Sequence, residues 1–483
     1  MTASAVFRCD ASPTIGGGHV MRCLAFADTL ALAGWSIGFV TRRDGLAATP
    51  ALAASGHAII EAQDSGQAQV GDRAALVVVD HYGLDAAFET AVKQPGRIIV
   101  AFDDLADRQH ACDILLDPTP NRATADYAGK GAAQLLLGSR HAIIRREWQQ
   151  QRMTAVARLA TGSAVRRIIV SMGATDPTDA TSKVLALLAA AKLDADVDVV
   201  LGTGAPHLEN VRKLADRRVS LHVGPADLPE LTAGADLAIG APGTSSFERA
   251  VLGLPAILIP TADNQRFNAA AFAAAGAAEV LPADILDRPE ALAAKINALV
   301  ADGARRAAMS QAAAAMTDGR GAQRLLTAIA GHLRTSAGTD VSVRLADASD
   351  SAWLLELQSK PQTRRFARHA AVPSAAEHAR WMSATLADPD RILMIVESGA
   401  APIGMLRLDR VGADAPTYEV SIAVDPDWHR RGVGLAALSL ARRVVPGADI
   451  LATVLSGNDA SSALFEAAGY RFESPERLRS RAA

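Results

Sequence analysis

The sequence predicts an α/β protein in which two Rossmann-like lobes precede a smaller α+β domain. Three observations carry this expectation. At 483 residues the chain exceeds what one hydrophobic core usually serves, and a scale of ~150 residues per domain suggests about three units. From residue 5 to about 330, short β-branched or aliphatic runs alternate with long Ala/Leu segments of helical period, the pattern of parallel α/β layers. Beyond 340 the order changes to helix-like sequence followed by paired strands. The composition, 49% hydrophobic and 21% charged, is that of an ordinary folded protein.

Strands are expected at 36–42, 75–80 and 97–102 after a first strand, AVFRCD, and again at 166–172, 197–202, 236–241 and 255–260. The Arg-rich, weakly periodic stretch 140–165 separates the two groups, giving lobes over 1–150 and 151–333. RTSAGTD (334–340) is small and polar and is expected to be a linker. The third domain, 341–483, holds helix-like residues 347–388, then RILMIVES, APIGMLRLDR and PTYEVSIAVDP, a helix and ILATVLS.

Lys+Arg 49 against Asp+Glu 52 leaves a net charge of −3, which argues against a nucleic-acid partner. No window approaches the ~20 apolar residues of a membrane helix, and MTASAVFRCD is not a basic-then-apolar leader. Neither a membrane partner nor export is expected, so the cytoplasm is the expected location. Cys9, Cys23 and Cys112 have no CxxC spacing and are expected to be free thiols, with no metal site. Oligomeric state is not legible.

In the first lobe, Val20, Leu24, Ala27 and Ala31 recur at helical spacing and Gly34 sits at a C-cap position, so a helix starts close to His19. Gly16, Gly17 and Gly18 let the backbone approach a ligand, and first-turn amides attract an anion. The loop lacks the third glycine of GxGxxG and lacks GK[ST], and strand 36–42 ends in Thr-Arg-Arg. Dinucleotide binding and P-loop chemistry are therefore disfavoured. The alternative is a tight turn whose histidine only caps or packs.

In the second lobe, Gly240 and Gly243 precede a helix opening at Ser245 or Ser246. Glu248 then either closes an S-x-x-E capping box with Ser245 or faces a ribose diol. Asp263, Asn264, Gln265 and Asn268 follow the next strand, at the sheet edge where open α/β folds bind ligands. Two facing glycine loops suit a nucleoside diphosphate.

These loops, with DHYGLD (80–85), FDDLADRQHACDILLDPTPN (102–121), LLLGSRHAIIRREW (135–148) and SMGATDP (171–177), resemble the UDP-sugar hydrolases of pseudaminic acid biosynthesis, which share the GT-B fold of two-lobed glycosyltransferases. The resemblance covers about 330 residues. It implies hydrolysis of UDP-2,4-diacetamido-2,4,6-trideoxy-β-L-altropyranose to free sugar and UDP, with water as acceptor. It further implies His19 as general base, Tyr82 and Asn264 in the sugar site, and Glu248 and Gln265 around the uridine nucleotide. Gly17, Gly18, Arg22, Gly173, Gly243, Thr244 and Ser245 are expected to line the same substrate site. UDP is a weakly basic leaving group, so one base and amide dipoles suffice without a general acid. Histidine, with an unperturbed pKa of about 6.5, suits that task. Asp10 is a candidate to orient its ring, or else part of a salt bridge.

In the third domain HRRGVG joins strand to helix, so the amides of Arg430, Arg431, Gly432, Val433 and Gly434 face a pyrophosphate. With the strand before Pro426 and with ILATVLSGNDASSALFEAAGYRF, this resembles the GNAT acetyltransferases and implies acetyl-CoA as co-substrate. EHARWM (377–382) is similar to sugar-nucleotide 4-amine acetyltransferases. Asn458 falls where GNAT members keep an asparagine near the pantetheine, and Val424 belongs to the same cofactor site. His429 stands where Gln or Arg is usual, and Phe465 where many members place a tyrosine acid. Tyr418 and Glu419 are candidate catalytic substitutes, although such residues on a strand more often pack or face solvent. The implied function is a fused enzyme, 4-N-acetylating a UDP-4-amino-4,6-dideoxy-N-acetyl-β-L-altrosamine and then removing UDP. The rival is a GT-B glycosyltransferase with a non-catalytic GNAT binding domain.

Overall fold

A computed structural model describes residues 3–11, 17–63, 70–191, 193–412 and 415–482; Gly16 and the side chains of Asp44, Ala47, Ala48 and Asn264 lie outside the described residues. The chain forms two parallel-sheet Rossmann-like lobes in GT-B order, followed by a GNAT-type mixed α/β domain. In the first sheet the seven strands run Ala58–Glu61, Ser36–Thr41, Ser4–Cys9, Leu76–Asp80, Ile98–Phe102, Ile114–Asp117, Gln134–Leu137, all parallel. The second runs Val219–Val223, Asp196–Leu201, Arg167–Ser171, Leu237–Gly240, Ala256–Leu258, Ala278–Val280, also parallel.

In both sheets the order reverses beside the first strand of the lobe: between Ser4–Cys9 and Leu76–Asp80, and between Arg167–Ser171 and Leu237–Gly240. Crossovers leave to opposite faces there and open a crevice at the strand C-termini. Both predicted glycine loops follow a strand at such a point. Strands Ala58–Glu61, Ile114–Asp117, Gln134–Leu137, Val219–Val223 and Ala278–Val280 were not legible, being short and in part half-exposed.

The expected linker is not one. His332–Arg334 and Asp340–Leu345 pair as an antiparallel hairpin, so 334–340 is its turn and edge residues, closed by Thr335 N–H donating to Thr339 O at 2.8 Å. This hairpin begins the third sheet, which continues through Arg391–Ser398, Ala401–Arg410, Thr417–Val424, Asp449–Thr453, Arg477–Ser480 and Arg471–Ser474. The stretch 140–165 runs between the two sheets and contains helix Arg146–Leu159. Its Arg152 donates to the carbonyls of Val251, Ala314 and Thr317.

The first lobe and the third domain share a core, whereas the second lobe has clusters of its own. Phe7 and Phe26 of the first lobe, Leu325 and Leu326 of helix Gly321–Ile329, and Val341, Leu406 and Leu438 of the third domain belong to a single buried cluster. At this junction Gly34 (φ +85°) meets Gly447: a Cβ on Gly34 would lie 2.3 Å from the Gly447 carbonyl carbon, and one on Gly447 1.9 Å from Gly34 O. Arg146 forks onto Asp390 at 2.9 and 3.2 Å, and Arg410 Nε reaches the same carboxylate at 2.5 Å. No helix among the described residues is long and apolar enough to cross a membrane.

Candidate active sites

Helix Gly18–Leu32 begins after Gly17 with no side-chain cap, leaving its first amides to face the crevice. His19 and Arg22, three residues apart, share one face. His19 Nδ1 lies 2.5 Å from Asp80 Oδ1, at the end of the neighbouring strand. Arg22 holds both oxygens of that carboxylate, Nε to Oδ2 at 2.5 Å and Nη2 to Oδ1 at 2.6 Å. Burial alone would raise the Asp80 carboxyl, but the charges and hydrogen bonds of Arg22 and His19 hold it well below the usual carboxylate range. An ionised oxygen 2.5 Å from Nδ1 places a proton on that nitrogen, so the neutral ring carries its lone pair on Nε2. Nε2 has no hydrogen-bond partner among the described residues.

Tyr82 stands edge-on to His19, ring centroids 4.5 Å apart at 87°. Its hydroxyl donates to Asp104 Oδ2 at 3.4 Å, and Arg22 Nη1 reaches the same oxygen at 3.3 Å. Burial beside Asp104 pushes the Tyr82 phenol upward, so it stays protonated. Asp104 Oδ1 is buried without a partner. Asp80 and Asp104 fall within DHYGLD and FDDLADRQHACDILLDPTPN, where nothing local in the sequence marks them for a role. One expectation is corrected. Asp10 does not orient His19: it accepts from Arg8 Nη2 (2.8 Å) and Arg42 N–H (2.9 Å) and pairs with His81 (3.3 Å). Arg22, expected in the substrate site, binds Asp80 and Asp104 and is 9% exposed.

The second lobe faces this loop closely: a Cβ on Gly18 would lie 3.1 Å from Thr244 Oγ1. Gly243, and Gly173 at φ +112°, have no atom within 4 Å of a Cβ position, so both leave open space. Thr244 is the N-cap of Ser245–Val251 without a side-chain bond, so the Ser245–Glu248 capping box does not form. Burial raises the Glu248 carboxyl, with Arg145 and Arg249 opposing. Glu248 therefore remains available to a ligand. Gln265 Oε1 accepts from Thr261 N–H at 2.9 Å. The Asn264 side chain lies outside the described residues.

The third domain encloses a cavity of about 1240 Å³. It opens where the parallel pairing of Thr417–Val424 with Asp449–Thr453 stops at Val420 and Ala452, so Ser421–Val424 splay away from Thr453–Leu455. Val424, His429, Arg430, Gly432, Val433, Gly434, Asn458 and Phe465 all line it, whereas Arg431 stacks on Trp428 at 4.9 Å. Gly432 is the left-handed N-cap (φ +78°) of Val433–Val444 and has no side-chain cap, so the helix start suits a pyrophosphate. Its glycine is also demanded by Thr335 Cβ, 3.1 Å from a Cβ position, and that of Gly434 by Leu464 Cδ2 at 3.0 Å. Asn458 caps the following helix, accepting from Ser461 N–H at 3.2 Å. His429 is turned back onto Val424 O at 3.0 Å.

Tyr418 is not in this cavity. It is 4% exposed, burial pushes its phenol up to about 12, and its hydroxyl donates to Leu32 O of the first lobe at 3.1 Å. Alternation along the strand sends Tyr418 into the domain junction and Glu419 into the cavity. Glu419 bonds there to Arg368 (2.5 Å) and Thr453 Oγ1 (3.0 Å). Elsewhere, Glu89, His110 and Cys112 bring ligand-type atoms within 4.8 Å of one another. Both His110 nitrogens are taken by Glu89 and Asp103 (2.8 and 3.4 Å), which makes this a structural ion cluster.

Residues 168–325 match the glycosyltransferase family 28 C-terminal domain, and 341–471 the acetyltransferase (GNAT) domain. The chain thus joins a nucleotide-sugar-type lobe to an acetyltransferase domain. It is 24% identical over 272 residues to an uncharacterized protein of Methanocaldococcus jannaschii, covering 53% of this chain and 55% of that protein. It is 26% identical over 223 residues to the UDP-2,4-diacetamido-2,4,6-trideoxy-beta-L-altropyranose hydrolase of Campylobacter jejuni, covering 44% of this chain and 73% of the hydrolase. Among solved structures, MurG of Acinetobacter baumannii covers 67% of this chain and is itself covered to 98%, at 17% identity and a TM-score of 0.47.

Proposed function

We propose that the chain is a bifunctional nucleotide-sugar enzyme. Its GNAT domain transfers an acetyl group from acetyl-CoA to the 4-amine of a UDP-4-amino-4,6-dideoxy-N-acetyl-β-L-altrosamine, and its two lobes then hydrolyse the product to the free sugar and UDP. The observation that carries the hydrolase reading is the His19–Asp80 pair. The imidazole is oriented through Nδ1, presents Nε2 as a base, and sits at the topological switch point opposite the glycine loop of the second lobe. Water loses its proton to Nε2 as it attacks the anomeric carbon, and the departing diphosphate is stabilised by amide dipoles and the loops at Gly173 and Gly243. Likeness to the Campylobacter jejuni hydrolase supports the substrate class. Two sequential reactions on one chain raise the intermediate's effective concentration where the sites can exchange it.

A second reading, a glycosyltransferase with a GNAT binding domain, is favoured by the family 28 match at 168–325. Mass spectrometry of products after mixing the protein with the UDP-amino sugar and acetyl-CoA decides between them. Free diacetamido sugar plus UDP supports the hydrolase, whereas a UDP-amino sugar that persists, neither acetylated nor hydrolysed without an added acceptor, supports the transferase with a binding domain.

A further inference from the structure

We propose that Arg22 is a positioning residue of the hydrolase crevice: its guanidinium balances the buried charge of Asp80, so that His19 meets water as a neutral base rather than as an imidazolium. The inference rests on the hydrolase reading above. A carboxylate buried beside an imidazole draws a proton onto the ring, and a ring protonated at both nitrogens has no lone pair for water. Arg22 opposes this at short range. Its Nε and Nη2 hold the two oxygens of Asp80 at 2.5 and 2.6 Å. The same Nη2 stands 3.1 Å from His19 Nδ1, where donor faces donor and the contact is one of charge. A proton added to the ring therefore meets a positive group as well as the negative one. Nη1 reaches Asp104 Oδ2 at 3.3 Å, so Asp104 decides how much guanidinium charge is left to act on the ring. Burial opposes the charge of Arg22, but Asp80 and Asp104 keep it a cation.

The chain holds its own comparison. His110 stands between Glu89 at 2.8 Å and Asp103 at 3.4 Å, and the guanidinium there, Arg108, pairs with Asp103 and not with Glu89. Burial opposes charge on that ring, yet the two carboxylates raise it to about 9, and at neutral pH it is an imidazolium with no base to offer. At His19 it is the bonded carboxylate itself that carries the guanidinium. The other groups around His19 do not supply this balance. The Cys23 thiol is pushed well up by burial and by Cys9, and the Tyr82 phenol by burial and Asp104, so both stay neutral. Asp10 pairs with Arg8 and His81. Of the elements packed on helix Gly18–Leu32, strand Ser36–Thr41 and helix Pro50–Ala53 carry no titratable side chain, and Arg324 of helix Gly321–Ile329 is tied to Asp318. Thr244, which approaches Gly18 from the second lobe, carries no charge.

The test follows the His19 ring by carbon-13 NMR of the full, histidine-labelled chain as pH is varied, the resonance being assigned by its loss in His19→Gln. UDP release from the UDP-diacetamido sugar is measured over the same range. Arg22→Gln is expected to raise the titration midpoint by about 1 unit or more. The pair of His19 and Asp80 then gains its proton at higher pH whichever member holds it, and the acidic limb of UDP release moves with it. Arg22→Lys, which keeps the charge and loses the fork, is expected to titrate near wild type with a lower kcat. Asp104→Asn is expected to move the midpoint downward, because it leaves more of the guanidinium charge to the ring. A midpoint that does not rise in Arg22→Gln, or that rises as far in Arg22→Lys, overturns the role. If Arg22→Gln does not fold, Asp104→Asn decides, and a midpoint that fails to fall overturns it. Midpoints that move as expected in a chain releasing no UDP refute the hydrolase reading and uphold the charge balance set by Arg22.

Discussion

His19 Nδ1 and Asp80 Oδ1 meet at 2.5 Å, joining the first turn of one helix to the last residue of the strand beside it. Arg22 binds the same carboxylate, so the acid is held charged and the imidazole cannot rotate without breaking a buried hydrogen bond to it. The geometry is that of a carboxylate fixing a histidine tautomer, the arrangement that frees the opposite nitrogen for proton abstraction.

Replacing His19 by Ala should therefore abolish UDP release while leaving UDP affinity within a few-fold, because the base acts only on water in the transition state. Asp80→Asn should lower the rate by about 10²–10⁴-fold through loss of the tautomer. Retained turnover of either purified variant in a UDP-release assay removes the pair from the mechanism.

The Gly34–Gly447 approach leaves no room for a methyl group on either backbone. Gly34→Ala and Gly447→Ala should each destabilise the chain by about 1–3 kcal/mol through overpacking. Tyr418→Phe, which only removes the bond to Leu32 O, should cost about 1 kcal/mol. Thermal unfolding of the full chain measures all three, and glycine variants that melt with the wild type would contradict the tight junction.

At Gly432 a bulky residue would have to adopt φ +78° and push against Thr335. Gly432→Val should weaken acetyl-CoA binding at least tenfold and leave UDP release unchanged. Calorimetry with acetyl-CoA and the UDP assay read the two effects separately; equal loss of both would mean that the junction transmits the damage.

Burial opposes charge on His110, yet the hydrogen bonds and charges of Asp103 and Glu89 raise it to about 9. The folded value exceeds the unfolded value of about 6.5, so the contribution is complete below pH ~6.5 and is lost as pH rises through about 9. His110→Gln should thus cost more stability at pH 6 than at pH 10. Urea midpoints that differ from wild type by the same amount at both pH values would exclude an imidazolium.

The sequence by itself determined the fold class, the helix starting at His19, the two glycine loops and the strand–turn–helix at Gly432. Each rests on a local signal: period 2 or 3.6 in the apolar residues, or a glycine where the backbone turns. The tertiary structure alone decided which carboxylate serves His19, because Asp80 lies 61 residues away and reaches it only where adjacent strands end together. Asp10, nearer in the chain, is captured by Arg8 and Arg42. Likewise, a polar turn at 334–340 looks the same in sequence whether it links domains or closes a hairpin, and strand alternation cannot say which face of Thr417–Val424 meets the first lobe. Burial against Leu32, 386 residues away, made Tyr418 a structural fastener and left the cavity wall to Glu419.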